Sequence, residues 1–135
     1  MPVGHVKRAG EAEYRLQISP HVNERTLRPS TLLVLRTTKS FASFRYELAV
    51  EERREGKTIH LKILGLKAPQ LDLPAAGPAE FRREYEALKG TYHVVVEGLD
   101  GSSTPVAIRV TKRNVTLTTP VARGIIEVDI PAAQH

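Results

Sequence analysis

Apolar and polar side chains alternate along much of this chain, and that alternation predicts strands. Tyr14-Arg15-Leu16-Gln17-Ile18 has period two, which sets every second side chain on one face of an extended segment. Pro20 is expected to end that strand. Thr31-Leu32-Leu33-Val34-Leu35-Arg36 is apolar on both faces and reads as a central strand covered on both sides. Further on, Phe44, Tyr46, Leu48 and Val50 share one face, and Ile59, Leu61 and Ile63 share another. Buried faces of paired strands must coincide, because a one-residue slip turns every apolar side chain outward. The expected register sets Val50 against Ile59, Leu48 against Leu61 and Tyr46 against Ile63. It leaves Arg53-Arg54-Glu55-Gly56 as the loop.

The stretch from Pro78 to Leu88 breaks the pattern. Phe81, Tyr85 and Leu88 recur at helical spacing, Pro78 suits a first turn and Gly90 suits the residue after a helix end. A short amphipathic helix is expected there, covering one end of the strands. Tyr92, Val94 and Val96 then alternate inward, as do Val106, Ile108 and Val110. Matching these faces pairs Val94 with Val106 and Tyr92 with Ile108, with Leu99-Asp100-Gly101 as a three-residue turn closed by glycine. Two more strand-like runs follow, Asn114 to Thr119 and Gly124 to Ile130. The total is about eight strands and one helix.

Leu88-Lys89-Gly90-Thr91-Tyr92-His93-Val94, followed by a glycine-containing hairpin, resembles the E–F corner of immunoglobulin-like and fibronectin-type-III-like modules. The resemblance implies a mainly β fold, an antiparallel β-sandwich, with Tyr92 as a structural corner residue whose hydroxyl bonds back to upstream backbone. The tryptophan and cysteine pair of antibody domains are missing, and two strand-like runs follow where such modules stop. A small up-and-down β-barrel is therefore the alternative architecture.

Composition narrows the class. The 135 residues are 41% hydrophobic and 26% charged, which suits one globular β domain over residues 1–135. There is no cysteine, so disulfides, thiolate chemistry and cysteine-based metal sites are excluded. The missing disulfides, and an opening without an apolar run of signal-peptide length, lead to an expectation of cytoplasmic location, with an exported mature fragment as the alternative. No stretch approaches ~20 apolar residues, so no membrane association is expected. The net charge of +5 can attract an anionic partner. A basic binding surface is expected, if anywhere, at Arg53, Arg54, Lys57, Lys112 and Arg113, which fall at the turns of two hairpins.

Candidate chemistry is sparse. His5, His21, His60, His93 and His135 share no short ligand spacing, although adjacent strands could bring His60 and His93 together. Glu47, Glu51, Glu80, Glu84, Glu97, Glu127 and Asp129 fall mostly on outward positions, and Asp72 sits in a turn-like stretch. No Gly-x-Ser-x-Gly elbow, P-loop or dinucleotide fingerprint occurs. Asn114-Val115-Thr116 matches a glycosylation sequon, which counts only in a secretory context. The expectation is therefore a protein that is not an enzyme and uses no cofactor or metal. Its leading role is an interaction or structural module whose partner is a protein, with self-association included. The alternatives are a lipocalin-like barrel holding a small apolar ligand and a basic surface for nucleic acid.

Overall fold

The computed structural model describes residues 12–41, 47–67, 77–111, 114–121, 124 and 126–130. Among these residues nine strands follow one another: β1 (Tyr14–Val22), β2 (Pro29–Phe41), β3 (Glu47–Glu55), β4 (Thr58–Lys67), β5 (Gly77–Glu86), β6 (Gly90–Glu97), β7 (Ser103–Val110), β8 (Val115–Leu117) and β9 (Ile126–Asp129). They form one sheet in the order β8-β7-β6-β4-β3-β5-β2-β1-β9. The fold is mainly β, as expected, but the sheet is mixed. Pairs β1–β9, β3–β5 and β4–β6 are parallel and the others antiparallel. It curls into a half-barrel rather than dividing into the two antiparallel sheets of a sandwich.

The inward face follows the alternation in the sequence. Leu16 and Ile18, Leu33 and Leu35, Ile59 and Leu61, Val94 and Val96, and Val106 and Ile108 are almost fully buried in one continuous core. Cross-strand pairs such as Leu16↔Leu35 and Val94↔Val106 stack these side chains. Val34 is also buried, on the opposite face of β2, as expected for a central strand.

Residues 77–86 form no helix, which corrects the expectation over Pro78 to Leu88. The same residues carry a period of two, because Ala79, Phe81 and Tyr85 alternate with Glu80, Arg82, Glu84 and Glu86. Long-range pairing decides between the two periods. β5 lies antiparallel along β2 from Ser30↔Glu86 to Arg36↔Glu80, and tertiary context of that extent overrides local helix preference. Where a bulge interrupts this ladder after Arg36, the Thr37 hydroxyl accepts the Ala79 N–H at 2.9 Å.

Two other expectations change. Pro20 does not end β1, which runs on to Val22. β9 covers β1 only from Tyr14 to Gln17, so beyond that point β1 is an edge that tolerates a missing N–H. From Val50 to the turn the β3–β4 register differs by four residues, with Val50 against Ile63, Glu52 against Leu61 and Arg54 against Ile59; past an irregularity between Ala49 and Val50 it differs by five, and Leu48 pairs with Leu66 instead of Leu61. Tyr46 lies outside the described residues. From Val50 to the turn both registers keep the apolar faces together, since a shift of four preserves the alternation. The turn decides, because Gly56 at φ 58 followed by Lys57 closes a two-residue hairpin and lets the charged run extend as strand. The β6–β7 hairpin has the expected register, and Gly101 at φ 85 closes its turn.

β3 and β5 meet through a single ladder pair, Glu47↔Glu80, and then separate. Beyond Val50 the inward side of β3 carries Glu52 and Arg54, and the facing side of β5 carries Arg83 and Tyr85. The half-barrel is therefore joined there by side chains instead of backbone.

Candidate functional site

The alternating strand directions gather four connections at one end of the half-barrel. Ser30 lies opposite Glu86, Gly90 opposite Val110 and Thr58 beside His93. The β1–β2 turn is built by Asn23. Its side-chain oxygen accepts the N–H groups of Arg25 and Thr26, both at 2.9 Å, and its carbonyl accepts the Leu27 N–H at 2.8 Å. These bonds hold Leu27 at φ 60 with its side chain 77% exposed. Across the same end, Ala87 in the β5–β6 connection also has φ 60. Left-handed backbone at a non-glycine residue costs about 1–2 kcal/mol, so surrounding structure must hold both residues in place.

Between these connections lies a cleft of ≈ 510 Å³. Three chain segments line it: Arg28 to Thr31, Glu86 to Gly90, and Arg109 to Thr111. Its apolar walls include Leu88, Val110 and Pro29, with Leu88 and Val110 themselves buried. The charged lining residues are the cations Arg28, Lys89 and Arg109 against one carboxylate, Glu86. That volume and an apolar lining with few polar groups are what small-molecule sites use.

Hydrogen bonds fix the walls. The Ser30 hydroxyl donates to Glu84 at 2.6 Å and the Asn23 amide donates to the same oxygen at 2.9 Å. These two bonds, Ser30's the stronger influence, hold the Glu84 carboxyl below the usual glutamate range. They also tie the β1–β2 turn to β5. On the other side, Lys57 Nζ donates to the Lys89 carbonyl at 3.0 Å and sits 5.2 Å from the centre of the Tyr92 ring. The Arg54 guanidinium lies 5.8 Å from that ring, and the Tyr92 hydroxyl accepts the Lys89 N–H at 3.4 Å. The β3–β4 turn is thus latched to the connection that forms the cleft wall.

A second cluster closes the gap between β3 and β5. The Tyr85 hydroxyl donates to Glu52, and Arg83 Nε approaches the other Glu52 oxygen at 3.1 Å. Burial first, and the bond to Glu52 second, push the Tyr85 hydroxyl pKa well up. Arg83 also stacks over Phe81 at 5.4 Å.

The five residues of the expected basic surface separate. Arg54 and Lys57 turn toward Tyr92 and the cleft end. Arg53 lies on the outer face opposite His60 and pairs with Glu55 at 3.3 Å, beside a depression of ≈ 330 Å³. Lys112 and Arg113 are outside the described residues, as are His5, His135 and Asp72. His60 and His93 lie on the outer faces of adjacent strands, two ladder positions apart. Among the described residues no three His, Asp or Glu side chains come together as a metal cluster.

Sequence reasoning missed Arg28, Lys89 and Arg109. They sit in three segments far apart in the chain, and only the strand order brings them to one end. No local pattern marks them. Glu52 was missed as well, because it stands in a charged run that reads as solvated surface. No known protein family matches the chain, and no characterised protein or solved structure matches it either.

Proposed function

We propose that this chain is a non-catalytic binding module that works through the cleft at the Arg28–Lys89–Arg109 end of an incompletely closed small barrel. The observation that carries this reading is the cleft itself, ≈ 510 Å³ with apolar walls and charge at its margin. The interior is filled by interlocking aliphatic side chains, so a ligand seats at the end of the barrel and not along its axis. Structural hydrogen bonds account for the shifted titration of Glu84, burial and the bond to Glu52 for that of Tyr85, and the described cleft lining offers one carboxylate where acid–base chemistry uses a pair. Nucleic acid is a poorer fit. The aromatic ring between Arg54 and Lys57 is Tyr92, only 5% exposed, and it offers no platform on which a base could stack.

Binding of a neutral solvatochromic dye such as Nile red tests the reading. Ala87→Trp places a large side chain at an exposed position of the cleft wall and is expected to remove most of the bound-dye fluorescence while the circular dichroism spectrum is kept. Undiminished dye binding by the folded variant would place the apolar site elsewhere.

A further inference from the structure

We infer that the ligand of this cleft is an aliphatic anion, a carboxylate or phosphate head on an unbranched apolar body. The inference rests on the binding-module reading above and adds the chemistry that selects the ligand. Three features of the lining converge on it.

The first is charge. Arg28, Lys89 and Arg109 line the cleft together with one carboxylate among the described residues, Glu86. Lys57 and Arg54 stand just behind the wall, Lys57 through its bond to the Lys89 carbonyl. Their fields add at the mouth of a partly apolar cleft, where they attract an anion more strongly than in open water. Arginine also presents a planar fork that matches carboxylate and phosphate oxygens.

The second is the wall chemistry. Pro29, Ala87, Leu88 and Val110 supply aliphatic surface, and no aromatic side chain is among the described lining residues. Stacking on a flat ring, the usual way of selecting nucleobases and other aromatic ligands, has no counterpart here. An extended methylene chain gains from aliphatic contact without it.

The third is construction. The segments carrying Arg28 and Lys89 are each held beside a residue in left-handed backbone, Leu27 and Ala87. Each segment is tied down from outside the cleft, by Asn23 and Glu84 on one side and by Lys57 and Tyr92 on the other. Strain maintained by such bonds on both sides of one cleft fits a site shaped in advance.

The test is displacement of Nile red from the full chain at low salt by four probes of equal chain length: decanoate, decyl phosphate, decanol and decyltrimethylammonium. The anions are expected to compete at least about tenfold better than decanol, the cation worst, with the advantage shrinking as salt is added. Arg28→Gln combined with Lys89→Gln, both at exposed positions, is expected to bring decanoate to the level of decanol. Glu86→Gln is expected to tighten decanoate and leave decanol unchanged. Decanoate against decyl phosphate shows which head the site prefers, and preference for either anion supports the inference. Equal competition by decanol and decanoate would overturn it while the cleft reading stood. If no probe displaces the dye and Ala87→Trp also leaves the dye bound, the binding-module reading fails and the inference with it.

Discussion

The two ends of the half-barrel solve the same problem of reversing the chain in different ways. At the far end, the β6–β7 turn uses residues suited to it. Gly101 takes φ 85 without cost, and Asp100 accepts the N–H and hydroxyl of Ser102 at 3.0 and 2.7 Å. At the cleft end Gly56 and Gly90 also take left-handed backbone, but so do Leu27 and Ala87, residue types that do not favour it. Local chemistry stabilises one end. At the other, Asn23 holds Leu27 from within its own turn, and bonds to Glu84, Lys57 and Tyr92 on neighbouring elements tie down the segments around Leu27 and Ala87. A cleft lined by three distant segments takes its shape from the elements around it.

Substitutions at the two ends should therefore differ in size and in sign. Removing the hydroxyl at the seam beside the cleft has the largest expected effect. Tyr85→Phe leaves half-buried Glu52 with Arg83 as its remaining partner and should cost about 1–3 kcal/mol in denaturant unfolding. An unchanged midpoint would show that Glu52 is satisfied by water instead. At the far end, Gly101→Ala forces a side chain into left-handed backbone and should cost about 1–2 kcal/mol. The complementary change, Ala87→Gly, should stabilise by about 0.5–1 kcal/mol, because the relief of strain exceeds the entropy that glycine adds to the unfolded chain. Loss of stability in Ala87→Gly would erase the contrast between the ends.

The pH dependence sharpens the comparison further, with a smaller expected effect. The Glu84 carboxyl is held below its ordinary value of 4.5. Its contribution is present above that value and disappears as the pH falls through the lower folded one. Ser30→Ala removes the main cause, so its stability should converge with that of the unaltered chain in acid and fall below it near neutrality. A constant difference across that range would mean that the Ser30 hydroxyl does not act through Glu84. On the alkaline side the sign reverses for Tyr85. Its proton is held in the folded state, so stability should decline once the pH rises past the ordinary tyrosine value of 10.0.

The sequence made the strands legible wherever one period dominated. β1, β6 and β7 show their inward faces in plain alternation, β2 stands out as a run apolar on both faces, and the glycine-closed turn set the β6–β7 register correctly. Two kinds of ambiguity defeated the rest. The residues of β5 satisfy both a helical and a strand period, and the deciding partner, β2, lies some 45 positions earlier in the chain. Between Val50 and the turn of β3–β4, two registers four residues apart bury the same faces. Only the preference for a two-residue turn at Gly56-Lys57 separates them. The cleft was less legible still. Turn position marks Arg54 and Lys57, which lie at the cleft end, whereas Arg28, Lys89 and Arg109 become neighbours only through the strand order.

Mapping of backbone amide chemical shifts on titration with decanoate tests the central claim most directly. The account predicts that the largest changes fall at Thr31, at Ala87 to Lys89 and at Val110 and Thr111, with little change in the β6–β7 turn. Changes centred instead on the outer-face depression at Glu51, His60 and Lys62, or at the Gly101 turn, would contradict it.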